Sequence, residues 1–376
     1  MPRISPLLYA ASERDADQLY FSKVFVPDAF LSFAIGEKKY ALVNRLEYHR
    51  VCREGTFDSV LSLEAWLEKA KQHYGRSRAQ LTDIIRLIAD KWAISAFRIS
   101  PYFPAGLALK LRDAGVQLHV AEDGLFPERA VKTAGEREAI REASTTAAAG
   151  IQSAEHLLRE SHIQSGKLYY QGQLLTAERV RQAIGIACLN QGAIAGTPIV
   201  AGGNQACDPH CIGHGPLLAN TLIVVDVFPR VVETGYYGDM TRTFLKGRAS
   251  EGQRRQVATV YKVQQQAIKE LRAAINGERV HHRAVQSFRQ AGYKNTETSE
   301  RSEGFIHGLG HGLGLTVHEA PSLSPRGGKL EAGTVVTVEP GLYYHDTGGC
   351  RIEDVVAITK DGVEPLSQYH YHWELK

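Results

Sequence analysis

The sequence predicts an α+β chain of two domains: a small α/β unit over residues 1–130, and a larger unit over 131–376 made of two similar helix-and-hairpin halves. Three observations predict it. The chain has 376 residues, too many for a single ordinary core. Beyond residue 130, two helical stretches followed by an antiparallel hairpin occur twice. Each hairpin carries a pair of acids, 13 residues apart in the first and 14 in the second, and this near-equality points to related halves.

In chain order, FLSFAIGEKKYALVNRLEYHRV holds two strand-like runs across a turn at Gly36–Lys38. SLEAWLEKAKQHYG and LTDIIRLIADKW space their apolar residues by three and four, as amphipathic helices do. The short strand candidates WAISAF and VQLHVAE flank a further helix, PAGLALKLRDAG, that stops at Gly115. Nothing in residues 1–130 forms a catalytic constellation; His49 reads as a surface histidine and Cys52 as a small core residue. Thr133 with Glu136 has the form of a capping box and opens the first long helix of the second domain. LTAERVRQAIGIACLNQ follows as its partner. EGQRRQVATVYKVQQQAIKELRAAI and VHHRAVQSFRQAGY supply the two helices of the other half, with His281 and His282 expected to face solvent.

The first hairpin, TLIVVDVFPRVVETGYYGDMTRTFL, ends an apolar strand at Asp226 and begins a second strand at Asp239. The second, GTVVTVEPGLYYHDTGGCRIEDVVAIT, ends its first strand at Glu339 and carries Glu353 inside its second. A carboxylate there among Val and Ile is costly unless paired. Between the hairpins lies FIHGLGHGLGLTVHE, with three histidines and four glycines in fifteen residues. Glycine weakens regular elements by roughly 0.5 to 1 kcal/mol relative to alanine, so such a run implies close backbone approach around an occupied site. Four gathered carboxylates repel one another and stay partly protonated unless a cation neutralises them. With one histidine they suit hard or borderline divalent ions, Mn²⁺ ahead of Co²⁺, Fe²⁺ or Zn²⁺. Five ligands exceed what one catalytic ion takes. A pair of ions sharing carboxylates fits better, and such a pair activates a water and clamps the developing oxyanion.

The segments DVFPRVVETGYYGDMTRTF, HGLGHGLGLTVHEAP, TVEPGLYY and CRIEDVVAIT resemble the signature of the pita-bread metallopeptidases, in the proline peptidase branch of Xaa-Pro aminopeptidase and prolidase. The similarity covers roughly residues 136 to 366. It implies a pita-bread catalytic domain preceded by a creatinase-like α/β domain that takes part in dimerisation and closes one end of the site. It implies Asp226, Asp239, His311, Glu339 and Glu353 as ligands of two metal ions, with Asp239 and Glu353 bridging. Glu339 would accept the proton of the attacking water, His318 would support the tetrahedral intermediate, and His307 and His210 would line the substrate site. Arg351, two residues before Glu353, is a further substrate-binding candidate, with neutralisation of the acids as its alternative role. The implied reaction is hydrolysis of the bond before a proline at the second position, by an aminopeptidase or, alternatively, a dipeptidase. One departure stands out: the two aspartates lie two residues further apart than the family places them. An insertion of two leaves both on the same face of the hairpin, because strand side chains alternate with period two.

Composition bounds the alternatives. A formal net charge of +3 with 43% hydrophobic residues gives no strong pull toward nucleic acid or a membrane surface. The sequence shows neither a signal-like start nor 18 consecutive apolar residues, and its five scattered cysteines suit reduced thiols, so a cytoplasmic location is expected. Cys207, His210, Cys211 and His214 lack zinc-finger spacing and read as a substrate-lining loop. A non-catalytic peptide-binding module would have no reason to keep four repelling acids. A metal-free amidinohydrolase would lack them, and a methionine aminopeptidase would lack the first domain and the His318, Glu319 and Arg351 context.

Overall fold

The computed structural model describes residues 3–122, 124–298 and 302–376. The chain forms two compact units, Met1–Arg129 and Ala130–Lys376. In the first, six strands, β1 (Arg3–Ala10), β2 (Phe30–Ile35), β3 (Lys38–Val43), β4 (Ser59–Ser62), β5 (Ile94–Ile99) and β6 (Leu118–Val120), make one sheet in the order β4-β3-β2-β1-β5-β6. Helices Leu63–Tyr74 and Leu81–Trp92 bury Trp66, Ile84, Ile85 and Ile88 in the same core as Leu7, Leu31, Phe33 and Phe97 of the sheet. The inner strand β1 was not expected from the sequence. It contains Pro6, which lacks an N–H, and the ladder to β2 accordingly begins only at Leu7. Cys52, expected in the core, is exposed: its seven-residue helix Tyr48–Glu54 buries only Val51.

The second unit repeats one plan. Helix α1 (Ala134–Glu160) starts at the Thr133–Glu136 capping box, in which each residue's side chain accepts from the other's backbone N–H. With α2 (Ala177–Asn190) it packs Ile151, Leu158, Val180 and Ile184 against Ile223, Val225 and Val227. Helices α3 (Glu251–Glu270) and α4 (Gly277–Gln290) do the same with Leu309, Val336, Val338 and Val356. His281 on α4 corrects the sequence expectation. It is buried, with its ring 5.5 Å from that of Phe305, whereas His282 faces out beside Glu278. The apolar stripe of a 14-residue helix leaves room for one histidine of the adjacent pair, and the other must turn away.

In the first half, β7 (Ile199–Gly202), β8 (Ile223–Val227) and β9 (Met240–Lys246) run antiparallel. In the second, β10 (Gly310–Gly312) and β11 (Glu319–Leu323) edge a sheet continued by β12 (Val335–Val338). The long second hairpin is interrupted. Its outer part, β13 (Gly341–Tyr344) with β14 (Gly348–Arg351), is separated from the inner pair of β12 with β15 (Asp354–Ile358). The break falls at Glu339-Pro340 on one side and Ile352-Glu353 on the other, since Pro340 has no N–H to continue the ladder. Glu353, expected inside a strand, therefore sits in the break. Its N–H donates to Thr241 O of the first hairpin at 3.0 Å. Thr243 Oγ donates to Arg351 O at 2.8 Å and accepts from Arg351 N at 3.1 Å, so the two hairpins are joined edge to edge.

Candidate metal centre

Asp226 pairs across the sheet with Thr241, and cross-strand partners share a face. Asp239 is two residues before Thr241, so Asp226, Thr241 and Asp239 point the same way. The longer connection is taken up by a side pairing of Arg230–Val231 with Ala193–Ile194 and by Gly235 at positive φ, which leaves the register of the two aspartates intact.

His311, expected in a loop, lies in the short strand β10. The neighbouring glycines permit it: a Cβ on Gly310 would stand 2.0 Å from Thr337 O, and one on Gly312 2.5 Å from Glu319 O. The backbone N–H of His311 donates to Thr337 Oγ at 3.0 Å, and its ring Nδ1–H to Gly312 O at 3.1 Å. Nε2 is left as an acceptor, 3.3 Å from Glu339 Oε1 and 3.8 Å from Asp239 Oδ2. One ligand atom each of Asp239, His311 and Glu353 falls within 4.8 Å of the others.

The gathered, buried acids raise one another's affinity for protons. Burial, then repulsion from Asp226 and Glu339, holds the Asp239 carboxyl well above the usual carboxylate range. Burial, then Asp239, Glu339 and Asp226, does the same for Glu353. Glu339 is pushed up to about 7, burial first and Asp226 adding to it against the lowering pull of Arg351. Burial lowers His311. Asp226 Oδ1 and Glu353 Oε1 are buried without a hydrogen-bond partner, and an unsatisfied buried acceptor costs about 1–3 kcal/mol. Four carboxylates and one imidazole acceptor, two oxygens of them orphaned, fit divalent cations better than they fit one another.

Around this cluster, His307 is held neutral. Its Nδ1–H donates to Gly308 O at 2.7 Å, Tyr343 OH donates to Nε2 at 2.9 Å, and burial pushes the ring down to about 3. His318 is exposed, its ring edge-on to His311 at 4.3 Å between centroids. His210 is exposed in a turn where its N–H donates to Asp208 Oδ1. Arg351 is buried and turned onto the acids. Nη2 lies 2.6 Å from Asp226 Oδ2, Nη1 reaches Tyr343 OH at 3.0 Å and Pro209 O at 3.4 Å, and Nε reaches Thr241 Oγ at 3.3 Å. Cys207 is buried, with its thiol pushed up to about 11 by burial first. Among the described residues, Cys207, His210, Cys211 and His214 form no group of metal-binding geometry.

Sequence reasoning passed over Thr241, which donates to Glu353 Oε2 at 2.7 Å, and Thr337, which donates to Glu339 Oε1 at 3.3 Å. Each stands two residues from an acid on the same strand run, so alternation places it on the acid's face. That spacing was the available signal.

The profile of metallopeptidase family M24 matches residues 138–360. The Xaa-Pro dipeptidase of Pyrococcus furiosus is 32% identical over 172 residues, 45% of this chain and 47% of that protein. The putative dipeptidase YkvY of Bacillus subtilis is 32% identical over 263 residues, 69% of this chain and 67% of that protein. Several of the curated relatives are thus matched over about half of their length. Among solved structures, the prolidase from Pyrococcus furiosus superposes with a TM-score of 0.79 at 22% identity, over 97% of this chain and 96% of that one. The X-Pro aminopeptidase from Thermotoga maritima also gives 0.79, at 21% identity over 99% and 98%. The fold is the pita-bread fold expected from the sequence motifs.

Proposed function

Since this chain belongs to metallopeptidase family M24, we propose that it is a hydrolase of Xaa-Pro peptide bonds, removing an N-terminal residue that precedes proline. The observation that carries this is the meeting of acids from two hairpins on the Nε2 side of His311, with two buried carboxylate oxygens left without partners. Two divalent ions held by Asp226, Asp239, His311, Glu339 and Glu353 would supply a water activated at neutral pH and Lewis-acid polarisation of the scissile carbonyl. Mn²⁺ leads among them because the donor set is rich in oxygen.

The protein's own groups divide the remaining work. Glu339 takes the proton of the attacking water and returns it to the proline nitrogen as the C–N bond breaks. Thr337 holds one of its oxygens, and Thr241 holds one of Glu353's. His318, beside His311 at the exposed edge, is the group to donate toward the oxyanion. His307, fixed as a neutral imidazole, and His210 line the substrate side. Proline after the scissile bond makes a tertiary amide without an N–H, so imidazoles and shape must replace backbone pairing in recognition. Arg351, within reach of Asp226 and Tyr343, orients a ligand acid and leaves substrate contact to the histidines. A reducing cytoplasm suits the five free cysteines, and a homodimer belongs to the same proposal.

A second reading, Xaa-Pro dipeptidase, is favoured by the names of the Pyrococcus and Bacillus relatives. Hydrolysis of Ala-Pro, Ala-Pro-Ala and Ala-Ala-Ala with added Mn²⁺ separates the two. Cleavage of Ala-Pro-Ala is expected, cleavage of Ala-Pro alone selects the dipeptidase, and equal rates on Ala-Ala-Ala and Ala-Pro-Ala would end the proline assignment.

A further inference from the structure

At the backbone of Glu353 lies a second polar node that the proposed chemistry does not use. Arg242 is one of the largest fully buried side chains in the protein, and all five of its N–H groups are spent. Nη1 donates to Thr241 O at 2.9 Å and to Glu353 O at 2.7 Å. Nη2 donates to Asp354 Oδ1 at 2.8 Å and Tyr369 O at 3.0 Å, and Nε to His370 O at 3.1 Å. Asp354 is equally saturated. Besides Arg242 it accepts from Ser367 Oγ at 3.1 Å, from Gln264 Nε2 of α3 at 2.8 Å and from Tyr371 OH at 2.9 Å. The Tyr371 ring also covers the Arg242 guanidinium, 4.6 Å from its centroid.

Two features give this node a direction. Glu353 is gripped at three places, its N–H on Thr241 O, its carbonyl under Arg242 and its Oε2 under Thr241 Oγ, while Oε1 alone is buried and unpartnered. Four of the contacts that complete the node come from the strap 367–371, a segment of side chains and carbonyls that contributes nothing to the acid cluster itself. A buried guanidinium–carboxylate pair with every donor and acceptor filled is rigid, and it is destabilised sharply when one member is removed.

We infer that Arg242, Asp354 and Tyr371 are positioning residues that aim the free oxygen of Glu353 into the metal site, so that the strap 367–371 sets metal affinity without touching a ligand atom. This rests on Glu353 being a metal ligand. Residues that hold ligands in place typically change metal affinity by 10–100-fold when altered.

The experiment titrates Mn²⁺ into the metal-free full chain by calorimetry, for wild type, Tyr371→Phe, Arg242→Lys and, as a control, Tyr261→Phe. Tyr261 packs its ring tilted against that of Tyr371, 4.8 Å between centroids, without a bond to Asp354. Wild type and Tyr261→Phe should bind two ions alike. Tyr371→Phe should keep the metal-free melting temperature yet bind at least one ion about 10-fold more weakly. Its kcat should be low at stoichiometric Mn²⁺ and regained in excess, with KM unchanged, which a loosened fold would not produce. Arg242→Lys, with one point donor in place of a fork, should lose more; if it fails to fold, Tyr371→Phe decides. Two ions bound by Tyr371→Phe as tightly as by wild type would overturn the inference while leaving the metallopeptidase reading intact. A wild type that binds none of Mn²⁺, Co²⁺, Fe²⁺ and Zn²⁺ would remove both.

Discussion

Gly310 shows how a single residue type fixes the site, because strands β10 and β12 approach there more closely than any side chain allows. Gly310→Ala should push the backbone of His311 away from Thr337, destabilising the fold by about 1–3 kcal/mol and lowering bound metal. Gly308→Ala, whose Cβ would meet neighbours at 3.4 Å, should be close to neutral in both chemical denaturation and metal content. At this scale the ligand candidates were legible because acids inside apolar strands are costly and so conspicuous. Their partners were not. Arg351 finds Asp226 across 125 positions, and nothing local to either residue records the pairing. Its lysine variant tests that pairing. An ammonium cannot serve Asp226, Tyr343 and Thr241 together, so Arg351→Lys should lose metal and activity in parallel on Ala-Pro-Ala. Activity lost with metal retained would instead place the guanidinium on the substrate.

Among elements, the amphipathic helices and both hairpins could be read from periodicity and turn residues, and capping at Thr133 from its spacing to Glu136. What escaped was whatever depends on a neighbouring element. Strand β1 has a proline in its middle and shows its place in the sheet only once β2 and β5 flank it. The break at Glu339 and Glu353 follows from Pro340 and from a first hairpin lying alongside. His281 is buried because Phe305 closes over α4, and its imidazole is lowered by burial first and then by His282. The sign of its effect follows. A histidine whose folded value is depressed stabilises the protein fully above its unfolded value of about 6.5, and that stability is lost as pH falls toward the folded value. Melting temperatures of wild type should therefore decline between pH 7 and 5, and His281→Phe should decline less steeply. Parallel curves would mean that the ring is protonated equally in both states.

For the larger unit as a whole, each half has an apolar core, the second also taking in Leu222 and Leu245 of the first hairpin, while a set of polar contacts between the halves converges on the acids: Arg351 to Asp226, Arg242 to Glu353 and Asp354, Thr241 to Glu353. The repeated plan was legible in the sequence because each half obeys its own periodicity. The seam was not, since it is written in pairs more than a hundred residues apart. A seam of this composition ties stability to metal. Without cations, the folded state must hold Asp239, Glu339 and Glu353 partly protonated and leave two carboxylate oxygens unpartnered. Ions bound only by the folded state add RT ln(1 + [L]/Kd) per site, about 2.7 kcal/mol at a hundredfold excess over Kd. For a unit of this size each kcal/mol moves the melting temperature by about 2–4 °C. Chelation of Mn²⁺-loaded protein by EDTA should thus lower the main calorimetric transition by several degrees, and restoring Mn²⁺ should recover it. Because the sheet of residues 1–129 has a core of its own, a transition belonging to that unit should stay where it is. A thermogram unmoved by EDTA would mean that the acids meet their repulsion by protonation alone, with no cation in the folded state.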